Sequence, residues 1–294
     1  MTHRTSATIS IILRRMYKLL ALDIDGTLIA HDGTLPEANI TAIRNLHARG
    51  VRIVLASGRA DISIAGISER ILEPDDQEYF IAYNGARVVT ARSRRLLVAD
   101  YVSAESVHSV VGYCREHGLY LQGYEADDFL VEEVTQATAE YAASAGMKYR
   151  EVPDLARALP EGSPKMLIIG PHDVLEQHRE ALSRRGMQMM KTGGSLPRSG
   201  FSVMYSKPHF LEVVPSGVDK GTALAALAGR LGLTLSECVA AGDAGNDEGM
   251  VRAAGLGLCP ADGQDQVKAV ADEVLRAPST QGIVAEIAER YFSS

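Results

Sequence analysis

The sequence predicts an α/β protein in which a parallel-sheet core is interrupted by an inserted α+β module. Three observations lead there. Toward both ends of the chain, short runs that are apolar on both faces alternate with stretches of helical spacing, as expected of strands covered by helices on each side. Between residues 86 and 215 the texture changes to hairpin-like strand pairs mixed with helices. The length of 294 residues, 46% of them hydrophobic, suffices for one large domain or two of ordinary size.

The elements follow in order. Lys18–Ile24 (KLLALDI) reads as a buried strand, and Glu37–Gly50 as an amphipathic helix closed by a glycine. Val51–Ala56 is a second buried strand, Ala60–Leu72 a helix, and Phe80–Tyr83 a short third strand. The insert, residues 86–215, opens with strand candidates at Arg87–Thr90 and Leu96–Asp100. Helix Ala104–His117 follows, then strands Tyr120–Tyr124 and Phe129–Val131 and a helix-rich stretch from Val134. Strand Lys165–Ile169 and helix Asp173–Arg184 come next, with further strands to Val214. Met187–Met190 reads as strand packing and Thr192–Gly200 as a surface loop. The core resumes with helical spacing over Lys220–Leu231, strand Cys238–Ala241, helix Asp247–Ala254 and strand Leu256–Leu258. It thus comprises residues 16–85 and 216–294. Residues 1–15 are expected to form a disordered extension, since the apolar piece Ile9–Leu13 is too short for a secretory leader.

Composition narrows the partners. Thirty Lys and Arg stand against 37 Asp and Glu, a net charge of −7, which argues against nucleic acid and anionic membranes as partners. Three widely spaced cysteines (Cys114, Cys238, Cys259) offer neither a disulfide framework nor a CxxC metal site. No apolar run approaches the roughly 18–20 residues of a membrane-spanning helix. A soluble, cytoplasmic chain acting on a small molecule is the expectation.

Four clusters carry chemistry, each where a core strand ends. Asp23-Ile24-Asp25-Gly26-Thr27-Leu28 sets two carboxylates at a strand's carboxyl end, where open α/β sheets bind ligands; one could attack phosphorus while the other moves a proton. Ser57-Gly58-Arg59 can offer a hydroxyl and a backbone N–H to an anion, and Asn84-Gly85 closes the third strand similarly. Lys220 opens a helix, and Gly242-Asp243-Ala244-Gly245-Asn246-Asp247 adds two acids four residues apart. Taken singly, each has an ordinary explanation: an Asp–Gly turn, a serine cap, a solvated lysine, an acidic loop. An EF-hand is excluded, because Glu248 and Ala254 occupy its glycine and bidentate-acid positions. No GxSxG elbow, GxxxxGK[ST] loop or HExxH pair occurs.

In this order and context the four clusters together resemble the motifs of the haloacid dehalogenase superfamily of phosphohydrolases. The strings ASGR (Ala56–Arg59), YNGA (Tyr83–Ala86) and LEVVPSGVDKG (Leu211–Gly221) resemble its Cof-type branch, which carries a large cap between the second and third motifs. The resemblance runs from about Met16 to the end and implies a Rossmann-like core with an inserted α+β cap. It implies Asp23 as nucleophile and Asp25 as general acid and base. It further implies Mg²⁺ held by Asp23, the main-chain carbonyl of Asp25, Asp243 and Asp247. The phosphoryl group would be held by Ile24, Thr27, Ser57, Gly58, Lys220 and Asn246, with Arg59 and Asn84 as substrate contacts at the core–cap seam. The implied activity is Mg²⁺-dependent hydrolysis of a small phosphorylated metabolite such as a sugar phosphate. A phosphomutase and a non-catalytic phosphometabolite-binding regulator are the rival readings. One departure stands out: where the family commonly has Gly-Asn-Ala after the fifth core strand, this chain has Cys259-Pro260-Ala261-Asp262.

Overall fold

In the computed structural model, which describes residues 17–125, 127–192 and 200–292, the first strand explains the architecture. β1 (Leu19–Asp23) is buried along its whole length. Leu20 and Leu22 pack into one hydrophobic layer, Leu19 and Ala21 into another. A strand with two buried faces needs helices on both, and the chain supplies them. Along the chain come α1 (Glu37–Ala48), β2 (Arg52–Ala56), α2 (Asp61–Ser68), β3 (Tyr79–Ala82), β4 (Arg87–Thr90) and β5 (Leu96–Ala99). The cap follows: α3 (Ala104–His117), β6 (Tyr120–Glu125), β7 (Asp128–Val131), α4 (Gln136–Ala145), β8 (Lys148–Glu151), α5 (Leu155–Ala158), β9 (Met166–Ile169), α6 (His172–Thr192), β10 (Phe201–Lys207) and β11 (Phe210–Pro215). The chain closes with α7 (Lys220–Arg230), β12 (Cys238–Ala241), α8 (Glu248–Ala253), β13 (Leu256–Cys259), α9 (Asp265–Lys268), β14 (Glu273–Val274) and α10 (Ile283–Tyr291).

The core sheet has the order β14-β13-β12-β1-β2-β3-β4-β5. Its members from β14 to β3 run parallel, and β4 and β5 are antiparallel additions. Ile43 and Leu46 of α1 and Ile283 and Ile287 of α10 cover one face; Leu224 and Leu227 of α7 and Met250 of α8 cover the other. The cap sheet, in the order β10-β11-β9-β6-β7-β8, is antiparallel except for the β7–β8 pair. One of its faces is backed by Val107, Val110 and Val111 of α3 and Leu175 and Leu182 of α6.

Three expectations are corrected. The hairpin Arg87–Ala99 belongs to the core sheet, not to the insert, so a boundary at residue 86 comes too early. Its outer strand β5 is half exposed, and that weak alternation resembles an α+β texture more than an α/β core. Met187–Met190 lies within α6, not in a strand: helix-favouring Leu, Glu, Gln, Arg, Ala and Met residues carry that helix on to Thr192. Helix α2 ends at Ser68, four residues before Leu72. The extension 1–15 and most of the loop Thr192–Gly200 lie outside the described residues. Among the described residues, no helix is long and apolar enough to cross a membrane.

Candidate active site

The carboxyl ends of β1, β2, β3 and β12 lie side by side at one edge of the core sheet, so the four sequence clusters meet there. Asp23 ends β1 and is buried. Three residues on, Gly26 turns the chain at φ +91°, and a Cβ there would lie 2.4 Å from Oδ2 of Asp243. Only glycine allows both the turn and that approach. Asp25, between them, turns its carboxylate outward: its side chain is 55% exposed.

Lys220, the first residue of α7, is fully buried and donates to Asp23 Oδ1 at 2.5 Å and to Asp247 Oδ1 at 2.6 Å. The close seating of α7 against α8 makes this possible, since a Cβ on Gly221 would lie 2.2 Å from the carbonyl oxygen of Gly249. Asp247 is braced again through Oδ2, which accepts from the backbone N–H groups of Asp243 (3.1 Å) and Ala244 (3.0 Å). Thr27 is buried and donates its hydroxyl to Asp243 Oδ1 at 2.9 Å. It therefore orients Asp243.

Asp23, Asp243 and Asp247 each present a carboxylate oxygen within 4.8 Å of the others, all three buried. Burial, reinforced by the charge of Asp247, pushes the carboxyls of Asp23 and Asp243 above the usual carboxylate range. Burial alone would depress Lys220, but Asp23 and Asp247 outweigh it and hold the ammonium above its ordinary value. Three carboxylates thus face one ammonium, an excess of negative charge in a desolvated place. That donor set, all hard oxygen, fits a small divalent cation. The Asp25 side chain stands outside the cluster, paired instead with Arg59.

The remaining expected residues divide by what they touch. Arg59 grips Asp25 with a two-pronged pair, Nε to Oδ2 at 2.8 Å and Nη2 to Oδ1 at 2.6 Å. The pair stands at the cavity wall, with the Arg59 side chain 40% exposed. Ser57 Oγ accepts the backbone N–H of Arg59 at 3.2 Å. Asn84 accepts from Asn246 Nδ2 at 3.0 Å and, like Tyr83, has left-handed backbone at φ +53° and +52°. Two successive non-glycine residues so placed cost roughly 1–3 kcal/mol each, and such strain concentrates at functional loops. Ile24 is buried behind them. Cys259 is buried too, and burial pushes its thiol up to about 11, which suits a packing residue better than a nucleophile.

A cavity of about 470 Å³ opens over this edge, lined from the core by Asp23, Asp25, Ser57, Gly58, Arg59, Asn84 and Asn246. The cap supplies its roof, including Tyr141, Lys165, Phe210 and Glu212. Sequence reading missed these four. One signal was present: Glu212 is a lone charge inside the apolar run Phe210–Pro215.

Comparison with known proteins agrees with the geometry. The family model of haloacid dehalogenase-like hydrolases matches residues 20–287. An HMP-PP phosphatase of Cronobacter sakazakii is 32% identical over 254 residues, spanning 86% of this chain and 88% of its own. A haloacid dehalogenase-like hydrolase from Bacteroides thetaiotaomicron matches in structure with a TM-score of 0.81 and 28% identity, over 93% of this chain and 99% of its own. A crystal structure from Thermotoga maritima gives 0.82 and 28%, over 95% and 99%. With a family model spanning nearly the whole chain and a phosphatase among its similar relatives, this chain belongs to the haloacid dehalogenase-like hydrolases, as a phosphatase of the Cof-type branch.

Proposed function

We propose that this phosphatase is Mg²⁺-dependent and hydrolyses small phosphomonoesters, sugar phosphates in particular, through an aspartyl-phosphate on Asp23. The observation that carries the reading is the buried trio Asp23, Asp243 and Asp247 around Lys220, opening to a cavity sized for a small metabolite. Asp23 and Asp243 would hold the ion with the main-chain carbonyl of Asp25, and Asp247 would support them. When bound, Mg²⁺ supplies the positive charge that lets a phosphate dianion approach these carboxylates.

The chain's own residues supply the rest. Asp23 attacks phosphorus, and the P–O bond to the leaving alcohol breaks as Asp25 gives that oxygen a proton. Asp25 then takes a proton from the water that attacks the aspartyl-phosphate, which returns Asp23 and releases phosphate. Arg59 orients Asp25 at the cavity mouth. Lys220 keeps one oxygen of Asp23 fixed, and the N–H of Ile24, Ser57 with Gly58, and Asn246 hold the phosphoryl oxygens, since this transfer rests on positioning and charge stabilisation.

Phosphate release from p-nitrophenyl phosphate and a panel of sugar phosphates, with Mg²⁺ and with EDTA, tests the reading. Turnover should require Mg²⁺, and Asp23→Asn should lower it by at least about 10³-fold with the fold intact. Metal-independent turnover, or full activity in Asp23→Asn, would reject it. An isomeric phosphate appearing in place of free phosphate would make the protein a phosphomutase.

A further inference from the structure

The face of the cap sheet that looks onto the catalytic cavity carries a charged pair that the chemistry above leaves unused. In β11, Leu211 and Val213 point into the cap's own core, so Phe210 and Glu212 point the other way. On the neighbouring strand Glu212 is opposite Leu167, and Lys165 lies two residues earlier on the same face. Glu212 is only 4% exposed. Its Oε1 accepts from Lys165 Nζ at 3.0 Å. Its Oε2 is buried with no hydrogen-bond partner, although the residue lines the cavity.

An orphaned carboxylate oxygen is costly unless something donates to it. Lys165 does not: its ammonium bonds Oε1, reaches the carbonyl of Gly58 at 3.5 Å, and sits 5.1 Å from the centre of the Tyr124 ring. Burial disfavours its charge, but Glu212 outweighs that and keeps it an ammonium. A second group completes the pattern. Gln122 Nε2 donates to the Tyr124 hydroxyl at 2.7 Å, which donates to the Tyr141 hydroxyl at 2.6 Å. With that acceptor role filled, Tyr141, also on the cavity wall, retains its own proton to give. The roof therefore offers an acceptor at Glu212 and a donor at Tyr141, beside the apolar surface of Phe210 and Leu167.

We propose that Glu212 is the specificity-determining residue for the leaving group: its free Oε2 accepts a hydrogen bond from a hydroxyl of the substrate's alcohol portion, which selects sugar or polyol phosphates over phosphate esters without such a hydroxyl. A hydroxyl both gives and takes a hydrogen bond, so it suits Glu212 and Tyr141 together. The C–H face of a sugar ring suits Phe210. Asp23, Asp25 and the ion site act on the phosphoryl end that all such esters share, so this selection belongs to the cap. The inference rests on the phosphatase reading above and adds the chemistry of the leaving group to it.

The test compares kcat/KM for the best of glucose 6-phosphate, fructose 1-phosphate, ribose 5-phosphate and glycerol 3-phosphate with kcat/KM for p-nitrophenyl phosphate, in the native protein and in Glu212→Gln. The native ratio should favour the hydroxylated ester. In Glu212→Gln that ratio should fall about 10- to 100-fold, the scale of a hydrogen bond to a charged group. Circular dichroism and thermal unfolding show whether the variant is folded. Because the readout is a ratio, a general loss of activity cancels from it. A ratio unchanged within about twofold would overturn the proposal. So would native protein that hydrolyses p-nitrophenyl phosphate but none of the four esters, and that result would leave the phosphatase reading standing. No phosphate from any of the five compounds would instead bring down the phosphatase reading itself.

Discussion

Two buried lysines make the instructive comparison. Lys220 in the core sits between two carboxylates, Asp23 at 2.5 Å and Asp247 at 2.6 Å, with Asp243 close by. Lys165 in the cap has one carboxylate, Glu212 at 3.0 Å, and a long contact to the Gly58 carbonyl. Around Lys220 the acids outnumber the cation, and every oxygen of Asp247 is tied down. Around Lys165 the charges balance, and one oxygen is left over. The first arrangement is rigid and calls for a further cation. The second is electrically complete and calls only for a hydrogen-bond donor. One catalytic edge can thus be common to many phosphate esters while the roof above it chooses among them.

The largest effect should come from the core lysine. Lys220→Met leaves Asp23 and Asp247 buried without their shared cation, and should cost about 3–5 kcal/mol of stability in the absence of metal. Urea unfolding measures this, and a loss below about 1 kcal/mol would show that the cluster does not carry an excess of negative charge. Lys165→Met should cost less, about 2 kcal/mol, because Glu212 lines a cavity and can regain water there. If the two losses proved equal, the contrast between a closed cluster and an open pair would fail.

A third buried charge sharpens the point, because Glu78 has no ion-pair partner among the described residues, and one of its carboxylate oxygens lacks a hydrogen bond. Burial, aided by the charge of Asp75, raises its carboxyl from 4.5 to about 7. Between those values the folded protein keeps a proton that the unfolded chain releases. Its contribution to stability is therefore full below about pH 4.5 and is lost as pH rises through 7. Glu78→Gln should gain about 1–2 kcal/mol at pH 8 and almost nothing at pH 4.5, with allowance for solvent screening. Equal gains at both pH values would contradict the assignment. Thr27→Val should have the smallest effect, about 1 kcal/mol, by freeing Asp243 from its hydroxyl. A weakened response of activity to Mg²⁺ concentration should accompany it.

The core was legible in the sequence because its signals are local. A continuous apolar strand ending at Asp23, or two residues before Asp243, can be read from half a dozen neighbouring residues, and the structure brings those ends to one sheet edge. The cap wall was not legible. Lys165 and Glu212 are 47 residues apart and meet only through the β9–β11 pairing. The hairpin Arg87–Ala99 was misplaced for a similar reason, since its membership of the core sheet is decided by the register of β4 on β3. The part played by Thr27 depends on Asp243, 216 residues away, and local pattern carries no trace of that contact.

The central claim, that Asp23 takes the phosphoryl group, has one direct measurement. Protein turning over a phosphate ester with Mg²⁺ is quenched in acid and reduced with borohydride, which converts an aspartyl-phosphate to homoserine, and the peptide around position 23 is sequenced by mass spectrometry. The account predicts homoserine at position 23, dependent on both substrate and Mg²⁺. Conversion at a different aspartate, or none during steady phosphate release, would contradict it.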